Sequence, residues 1–281
     1  MAIRIITDSA ADYSASEIEK RNITCVPMTI TFGEETFLDG TEITKEDFFE
    51  RLINEKELPK TSQPSPTSFL ECFEEAKRDG DTVIAILVSG SLSGTIQCAE
   101  LAKSMAEYDD IHIIDSRLAT LGMRFLVDRA VAMRDQGCTA VQIVDALEML
   151  KSKVRIYAGL DTLEYLQKGG RLSRAEAGLG KMVNLKPILT FSREGAVELC
   201  SKQIGVRHAY RHIAKLLEEH VPDESYPVYF LYSHEKKNCV GFIQHLQKKG
   251  IEFGTPKLRG IGATIGTHIG PGAFGIVFVE Q

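Results

Sequence analysis

Three apolar runs in the first half of the chain are each followed by a helical pattern. The runs lie at residues 3–6, 83–88 and 111–114. They are short and almost wholly apolar, which is typical of strands buried on both faces. Apolar positions spaced three or four residues apart then predict helices, among them 14–21 and 119–136. This alternation of strand and helix predicts a parallel sheet with crossover helices.

The stretch between the first two runs has a different pattern. Residues 23–32 alternate between apolar and polar positions and predict one strand, which turns into a second at 36–38. Thr44 and Asp47 form a capping pattern that predicts the start of a helix. Prolines and hydroxyl side chains crowd residues 59–66, so this segment is predicted to be a loop.

The pattern changes near residue 155. Residues 155–160 predict a strand, and 161–184 predicts short helical pieces. The strands predicted at 186–191 and 197–202 are joined by a short turn, which is typical of antiparallel neighbours. Further helices and strands are predicted at 206–219, 228–232, 238–249 and 276–279. The second half therefore predicts a mixed sheet.

The length of the chain supports two domains, because 281 residues exceed what one hydrophobic core usually organises. We predict an α/β protein with an N-terminal parallel-sheet α/β/α domain, residues 1–155, and a C-terminal mixed-sheet α/β domain, residues 156–281. The boundary rests on the change of pattern alone.

Composition excludes several classes of function. The net charge of −6 gives no support to binding of nucleic acid or of an anionic membrane beyond transient contact. No apolar stretch is long enough to span a membrane, and the N-terminus lacks a signal-peptide pattern, so we expect a cytoplasmic protein. The six cysteines are scattered without a C-x-x-C pair, which argues against a zinc site or a disulfide scaffold.

The turn after the second apolar run carries the first candidate chemistry. Residues 89–95 read S-G-S-L-S-G-T and lie between a predicted strand and a predicted helix. The N-terminus of a helix has unpaired N–H groups and a partial positive charge, so this turn suits an anion. It lacks the lysine of a nucleotide triphosphate loop, which weakens a phosphate interpretation.

The same turn also contains G-S-L-S-G, the pattern of a nucleophile elbow, with Ser93 in the turn. A serine acyl hydrolase is therefore an alternative. It needs a histidine base and an acid further along the chain. His268 is the candidate base, and Asp161 or Glu164 is the candidate acid.

Two other segments offer polar groups. The hydroxyls of Thr61 and Ser62 precede the predicted cap of the next helix, so they are available for a ligand. The glycine-rich segment 260–275 contains His268 as its one ionisable side chain, in a backbone that can approach a ligand closely. His208 and His212 are four residues apart, but no glutamate lies between them and arginines flank them, so we predict no metal site.

Together, eight short motifs resemble the bacterial DegV family of fatty-acid-binding proteins, which includes the lipid-binding subunit of fatty acid kinase. The resemblance extends from end to end of the chain, and the motifs are specific jointly rather than singly. They are I-I-T-D-S-A-A-D at 5–12, V-P-M-T-I at 26–30, D-G at 39–40, K-T-S-Q-P-S-P at 60–66, S-G-S-L-S-G-T at 89–95, I-D-S at 114–116, K-G-G-R-L-S at 168–173 and G-T-H-I-G-P-G at 266–272.

The resemblance implies two α/β domains with one fatty acid in an apolar tunnel between them. It implies that Thr61, Ser93 and His268 hold the carboxylate, with Ser62 and Gly94 beside them. Such a set of donors is what a buried carboxylate requires, and a protonated histidine would add a charge-assisted bond. A sixteen-carbon chain offers about 10 kcal/mol at about 0.8 kcal/mol per buried CH₂, so the head group mainly sets orientation.

Two arginines complete the expectations from the resemblance. Arg207 follows the predicted hairpin and is a further candidate for the carboxylate, whereas Arg171 resembles a surface residue that engages a partner kinase. The family implies a non-catalytic subunit without a cofactor. It binds a long-chain fatty acid such as palmitate, stearate or oleate and presents it to an ATP-dependent kinase for acyl phosphate formation.

Other interpretations of the same residues stay open. The chain could be a lipid-sensing regulatory module, which the sequence does not distinguish from a carrier. The family's fold is also related to the substrate-binding domain of dihydroxyacetone kinases, where a histidine holds a carbonyl substrate covalently. An equivalent role for His268 would require a small polar pocket, and a deep apolar one would exclude it.

Overall fold

The structure, a computed structural model, describes residues 2–172 and 184–281. Residues 173–183 of the segment predicted to be helical in short pieces, 161–184, lie outside these ranges, and they include the serine that ends the K-G-G-R-L-S motif. The strands are β1 (Ile3–Asp8), β2 (Ile23–Val26), β3 (Thr29–Phe32), β4 (Glu35–Leu38), β5 (Lys60–Ser62), β6 (Thr82–Leu87), β7 (Ile111–Asp115), β8 (Val154–Gly159), β9 (Leu185–Phe191), β10 (Val197–Ile204), β11 (Tyr229–Tyr232), β12 (Lys257–Gly260) and β13 (Phe274–Val279). The helices are α1 (Ala15–Arg21), α2 (Lys45–Asn54), α3 (Pro66–Asp79), α4 (Thr95–Ala106), α5 (Thr120–Asp135), α6 (Ala140–Lys151), α7 (Glu164–Lys168), α8 (Val206–Glu219), α9 (Lys237–Lys248) and α10 (Ala263–Ile269).

The predicted parallel sheet is confirmed. Its strands lie in the order β2-β1-β6-β7, and every neighbouring pair is parallel. All six residues of β6 are buried, as its unbroken apolar run indicates for a central strand covered on both faces. The turns that follow these strands meet at one edge of the sheet, where open α/β sheets place their ligands.

The second half forms the predicted mixed sheet. Six strands lie in the order β10-β9-β8-β13-β11-β12. The β11–β12 pair is parallel, and the other pairs are antiparallel. The hairpin of β9 and β10 reaches across to the parallel sheet, because Ser89 Oγ donates to the carbonyl of Gly195 in its turn at 2.8 Å.

A third, three-stranded sheet in the order β4-β3-β5 corrects two predictions. The predicted strand 23–32 is split at Pro27, which has no N–H for a ladder; β2 joins the parallel sheet and β3 joins this one. The predicted loop 59–66 contains β5, which pairs Thr61 with Ile30 of β3. Strand β5 has three residues between two prolines, which is too short for an alternation of apolar and polar positions to predict a strand.

Helix α5 packs between the two large sheets. It contacts β1 and β6 on one side and β8 and β13 on the other, and most of its residues are buried. One apolar cluster therefore contains residues from both sheets. The predicted division at residue 155 falls inside β8, which belongs to the six-stranded sheet from Val154 onwards. The separation into domains 1–155 and 156–281 stays a prediction.

The glycine-rich segment 260–275 is not an open loop, because it contains α10. Gly266 lies in the middle of this helix, and a Cβ there would come within 2.7 Å of the ring of Phe48 and 2.9 Å of the ring of Phe49. The glycine thus permits close packing on α2 rather than a flexible backbone. This packing stabilises a short helix that its own sequence favours weakly.

Candidate ligand-binding cavity

A cavity of about 370 Å³ lies between the parallel sheet and the six-stranded sheet. Its size falls within the roughly 300–1,000 Å³ typical of small-molecule sites. The residues that line it come from the turn after β6, the start of α5, the face of β8 and β9, and α10. It is therefore built from both halves of the chain.

The body of the cavity is apolar. Its lining side chains there are mainly aliphatic: Met28, Val88, Leu92, Ile156, Ala158, Leu160, Leu166, Leu189, Val197, Leu231, Ile261, Ile265 and Ile269. Ile156, Leu231 and Ile261 are at most 4% exposed. A polar ligand would lose its hydrogen bonds with water here, whereas a hydrocarbon would lose none.

The polar side chains gather at one end of the cavity, and the structure brings together three residues that are distant in sequence. Thr61 and Ser93 line this end, and Thr61 Oγ1 lies 2.9 Å from His268 Nε2. Ser62 and Gln63 line it as well and are exposed. The polar end therefore faces solvent, and the apolar body extends into the protein.

The N-terminus of α4 adds to this end. Gly94 occupies the cap position, and no side chain caps the helix. A Cβ on Gly94 would lie 2.3 Å from Oε1 of Gln63, so the glycine lets this cavity-lining amide approach the helix. The sequence-based expectation of a helix N-terminus at the site is consistent with this geometry.

His268 is uncharged at neutral pH, so it does not offer the charge-assisted bond that a protonated ring would add. Burial, together with the nearby charge of Arg171, lowers the pKa of His268 to about 4. Its Nδ1 atom is buried and has no hydrogen-bond partner among the described residues. The ring therefore offers an uncharged hydrogen bond through Nε2 rather than a positive charge.

Two buried carboxylates hold the helix that carries His268. Asp12 accepts a hydrogen bond from the backbone N–H of Gly262 at 2.8 Å, and Asp39 accepts one from the hydroxyl of Thr264 at 2.6 Å. Burial raises the pKa of both acids. They satisfy donors at the N-terminal end of α10, and this fixes His268 one turn further along.

The backbone of Gly169 packs closely against the Nδ1 side of the His268 ring. A Cβ at this position would lie 2.4 Å from Nδ1 of His268, so no larger residue fits without moving the ring. Gly270 ends α10 with φ of +68°, and a Cβ there would meet the ring of Tyr165. Gly169 thus allows close packing against the imidazole ring of His268, and Gly270 allows close packing against the ring of Tyr165.

Arg171 lies in the wall of the cavity, and its expected role in engaging a partner kinase stays a prediction. It is half-buried and lines the polar end. Its guanidinium donates to the carbonyls of Leu92 at 3.1 Å and Gly169 at 2.6 Å. These bonds hold a positive charge close enough to His268 to lower the pKa of that residue. No pattern near either residue indicates that this arginine and His268 lie close together.

Arg207 lies elsewhere, so the structure does not bring it to the polar end of the cavity. It is exposed on α8 and lines a separate groove between α8 and α9 with Tyr210 and His245. The hairpin that precedes it in sequence reaches the cavity, but α8 packs on the other face of that sheet, against β9 and β10. Proximity in sequence to the hairpin was therefore misleading.

The arrangement required of a serine hydrolase is not assembled in the described residues. Ser93 Oγ pairs with Thr95 Oγ1 at 2.8 Å, whereas the Nε2 atom of His268 pairs with Thr61. No acid orients Nδ1 of that histidine. Of the two candidate acids, Asp161 pairs with Lys186 and Glu164 with Lys168. The deep apolar cavity also argues against a covalent site for a small carbonyl compound.

No group of three or more histidine, cysteine or acidic side chains in residues 2–172 and 184–281 is arranged to hold a metal ion. The pair His208 and His212 lies on α8, away from the cavity. No helix within the same ranges is both long enough and apolar enough to cross a membrane.

Several residues that line or support the cavity were not predicted from the sequence. Gln63, Thr120 and Thr264 line the cavity, and Asp12 bonds Thr120 as well as Gly262. Asp12 belongs to the I-I-T-D-S-A-A-D motif, which the fold joins to α10. The motif alone did not indicate which segment it would contact.

The fold and the cavity define a class: an α/β protein with an apolar cavity between two sheets. The family model described as "Uncharacterised protein, DegV family" matches residues 2–281. A DegV domain-containing protein of Caldanaerobacter subterraneus subsp. tengcongensis is 34% identical over 279 residues, which cover 99% of each chain. The chain therefore belongs to the DegV family, as its motifs indicated.

Solved structures with the same fold include fatty-acid-binding members. A DegV family protein from Thermus thermophilus, described as fatty acid binding, has a TM-score of 0.89 and 30% identity, with all of both chains covered. A stearic acid-binding protein from Eubacterium ventriosum has a TM-score of 0.87 and 27% identity, with 100% of this chain and 98% of that chain covered.

Proposed function

We propose that this protein binds one long-chain fatty acid in the cavity, with the acyl tail in the apolar body and the carboxylate at the polar end. The observation that carries the proposal is an apolar cavity of about 370 Å³ that ends at Thr61, Ser93, Arg171 and His268. A ligand that matches it needs a long hydrocarbon and one anionic group. The solved relatives from Thermus thermophilus and Eubacterium ventriosum support this ligand class.

The tail provides most of the affinity in this proposal. Each buried CH₂ contributes about 0.8 kcal/mol, and the lining offers aliphatic contacts along the whole body of the cavity. Palmitate, stearate and oleate fit this description. The head group contributes orientation, because its hydrogen bonds in the protein replace bonds with water at little net gain.

The charge of the carboxylate is balanced by Arg171 rather than by His268. The histidine is neutral, so its Nε2–H can donate to Thr61 Oγ1. The Thr61 hydroxyl is then free to donate to the carboxylate, together with the Ser93 hydroxyl and the N-terminus of α4. In this arrangement Ser93 is a hydrogen-bond donor and not a nucleophile.

We also propose that the bound fatty acid is presented to an ATP-dependent kinase in the cytoplasm, which forms the acyl phosphate, while this chain performs no chemistry itself. The exposure of Ser62 and Gln63 supports this, because the carboxylate would lie at the solvent-facing end. The absence of a lysine-containing phosphate loop in the sequence supports a non-catalytic role.

Titration of delipidated protein with palmitate and with hexadecanol tests the binding proposal. The two ligands share a tail, so the ratio of their Kd values isolates the head group. We expect both to bind and the acid to bind at least tenfold tighter. The variant Thr36→Val, on the exposed strand β4, is a matched control that leaves the ratio unchanged. Absence of binding for both ligands would contradict the proposal.

Mixing loaded protein with a fatty acid kinase and ATP tests the second part. Acyl phosphate should form only when protein, kinase and ATP are all present. Acyl phosphate formed without the kinase would show that the chain is itself an enzyme.

A further inference from the structure

The groove between α8 and α9 is separate from the cavity between the sheets. Its volume is about 480 Å³, which falls within the range of roughly 300–1,000 Å³ typical of small-molecule sites. Among the residues that the structure describes, none lines both the groove and the cavity. The polar side chains that line the groove are those of Arg207, Arg211, Gln244, His245, Lys248 and the buried Tyr210.

Three of these side chains carry a positive charge and have no counter-ion in the protein. Arg207, Arg211 and Lys248 are all exposed. Within residues 2–172 and 184–281, no acidic side chain lines the groove, and none of the three cations forms an ion pair or a side-chain hydrogen bond. The chain as a whole has a net charge of −6. The positive groove therefore does not follow from a general excess of basic residues.

Other arginines of the chain do have partners. Those that pair with an aspartate or a glutamate are Arg4, Arg21, Arg51, Arg124, Arg134 and Arg155. Arg207 has none, although it lies in the first turn of α8, where a cation is unfavourable. That turn contains no acidic residue, and its cap residue, Gly205, has no side chain. The stability of the helix does not explain Arg207, whereas a bound anion would.

His245 shows that the positive charges of the two helices act at one place. Burial lowers the pKa of its imidazole, and so do the charges of Lys249, Arg211 and Lys248. The Nε2 atom of this ring is buried and has no hydrogen-bond partner among the described residues. Cations of both α8 and α9 therefore lie near a single histidine instead of being spread along the helices.

We propose that this groove binds a soluble small molecule that carries several negative charges on phosphate groups. The inference is independent of the proposed fatty-acid binding. A guanidinium donates paired hydrogen bonds to phosphate oxygens and an ammonium adds a point charge, so the three cations match a ligand with several anionic oxygens. Among the described residues, no exposed apolar side chain lines the groove, so it offers no group that would enter a lipid layer.

Isothermal titration calorimetry with inorganic pyrophosphate tests this inference. The ionic strength is kept constant with KCl, so that general screening does not change during the titration. We expect saturable binding of one pyrophosphate per chain. Arg207→Gln and Arg211→Gln should each weaken binding about tenfold or more, because each removes charge-assisted hydrogen bonds to the phosphate.

Arg78→Gln is the matched control, because it removes the same charge from an exposed position on α3, outside the groove. It should change the Kd for pyrophosphate by less than about twofold, since an exposed charge far from a ligand is well screened. Thermal unfolding of all three variants without ligand checks that each is folded.

Nitrogen-15 NMR of His245 supplies a second measurement. Bound pyrophosphate would offset the cations that lower the pKa of this residue, so its pKa should rise when the ligand is added to the wild-type protein. Three results would each overturn the inference: no saturable binding of pyrophosphate, an equal loss of affinity in Arg78→Gln, or binding to phosphatidylglycerol vesicles without binding of pyrophosphate.

Discussion

At the polar end of the cavity, Thr61, Ser93, Arg171 and His268 come from four separate segments and carry hydrogen-bonding or charged groups. The apolar body of the cavity is lined mainly by aliphatic side chains, among them buried Ile156. The polar end is held by specific contacts, including the carboxylates behind α10 and the close approach of Gly169. The apolar body is held mainly by packing.

This difference divides the tasks of binding between the two ends. Burial of hydrocarbon is non-directional and grows with contact area, so the apolar body supplies most of the affinity. Hydrogen bonds are directional but contribute little net free energy, so the polar end fixes which way the ligand lies. Variants at the two ends should therefore change different ratios of affinities.

The largest effect is expected from Ala158→Phe. Ala158 lines the body of the cavity, and a phenyl ring there would displace about four methylenes of the tail. At about 0.8 kcal/mol each, the loss is about 3 kcal/mol, or on the order of 100-fold in Kd for stearate and octadecanol alike. Ala15→Phe, at an exposed position on α1, is the control. Unchanged binding of both ligands by Ala158→Phe would place the tail elsewhere.

The second prediction concerns pH and uses His268→Gln. The pKa of His268 in the folded protein is about 4, below its usual value of 6.5. Between pH 6.5 and pH 4, His268 therefore binds a proton in the unfolded state but not in the folded state. Wild-type stability should therefore fall toward pH 5, by about 2 kcal/mol from this residue, and the variant should lack this loss.

Urea unfolding of ligand-free protein at pH 7.5 and pH 5 measures the effect of His268→Gln. At each pH, the free energy of unfolding of the variant is compared with that of the wild type. The change of this difference between the two pH values reports on His268, because buried Asp8, whose pKa burial raises to about 7, titrates in both proteins. A difference that is the same at both pH values would mean that His268 is not held neutral by burial.

Arg171→Ala should weaken palmitate binding about tenfold and leave hexadecanol binding nearly unchanged, because only the acid carries a charge for the guanidinium to balance. The same variant should raise the pKa of His268, since the nearby positive charge lowers it. Nitrogen-15 NMR of the imidazole reports this pKa directly. Equal loss of acid and alcohol would instead assign Arg171 a structural role through Leu92 and Gly169.

Thr61→Val removes one hydroxyl at nearly constant volume. We expect about a fivefold loss for palmitate, corresponding to about 1 kcal/mol for one hydrogen bond, and little change for hexadecanol. The ratio of the two Kd values is the measurement. A larger loss for the alcohol than for the acid would mean that Thr61 contacts the tail.

The smallest effect is expected from Arg207→Ala, which should change both Kd values by less than about twofold. Arg207 lies in the groove between α8 and α9, outside the cavity lining. If this variant lost palmitate binding selectively, Arg207 would contribute to binding of the carboxylate after all. The polar end would then extend beyond the residues that line the cavity.

The same contrast explains how much could be predicted from the sequence. The parallel sheet and the mixed sheet followed from apolar runs, because a buried strand needs apolar residues wherever it lies. Thr61, Ser93 and His268 were recognisable because polar residues in glycine- or proline-rich segments are distinctive. The structure then brought all three to the cavity.

The remaining features depend on contacts between distant segments, which a local pattern does not record. Nothing near Arg171 shows that it lies beside His268. Helix α10 was not predicted, because its segment is rich in glycine. Gly266 in this helix permits close packing on α2 and does not provide a flexible backbone. The neutral state of His268 likewise follows from burial, which only the fold determines.

The central claim is that one fatty acid occupies the cavity. The most direct test is a native mass spectrum of protein purified from cells without detergent, followed by the same measurement after delipidation and addition of palmitate. We predict one long-chain fatty acid per chain in the first spectrum, one palmitate per chain in the second, and loss of both adducts in Ala158→Phe. A spectrum of the bare chain in both experiments would contradict the account.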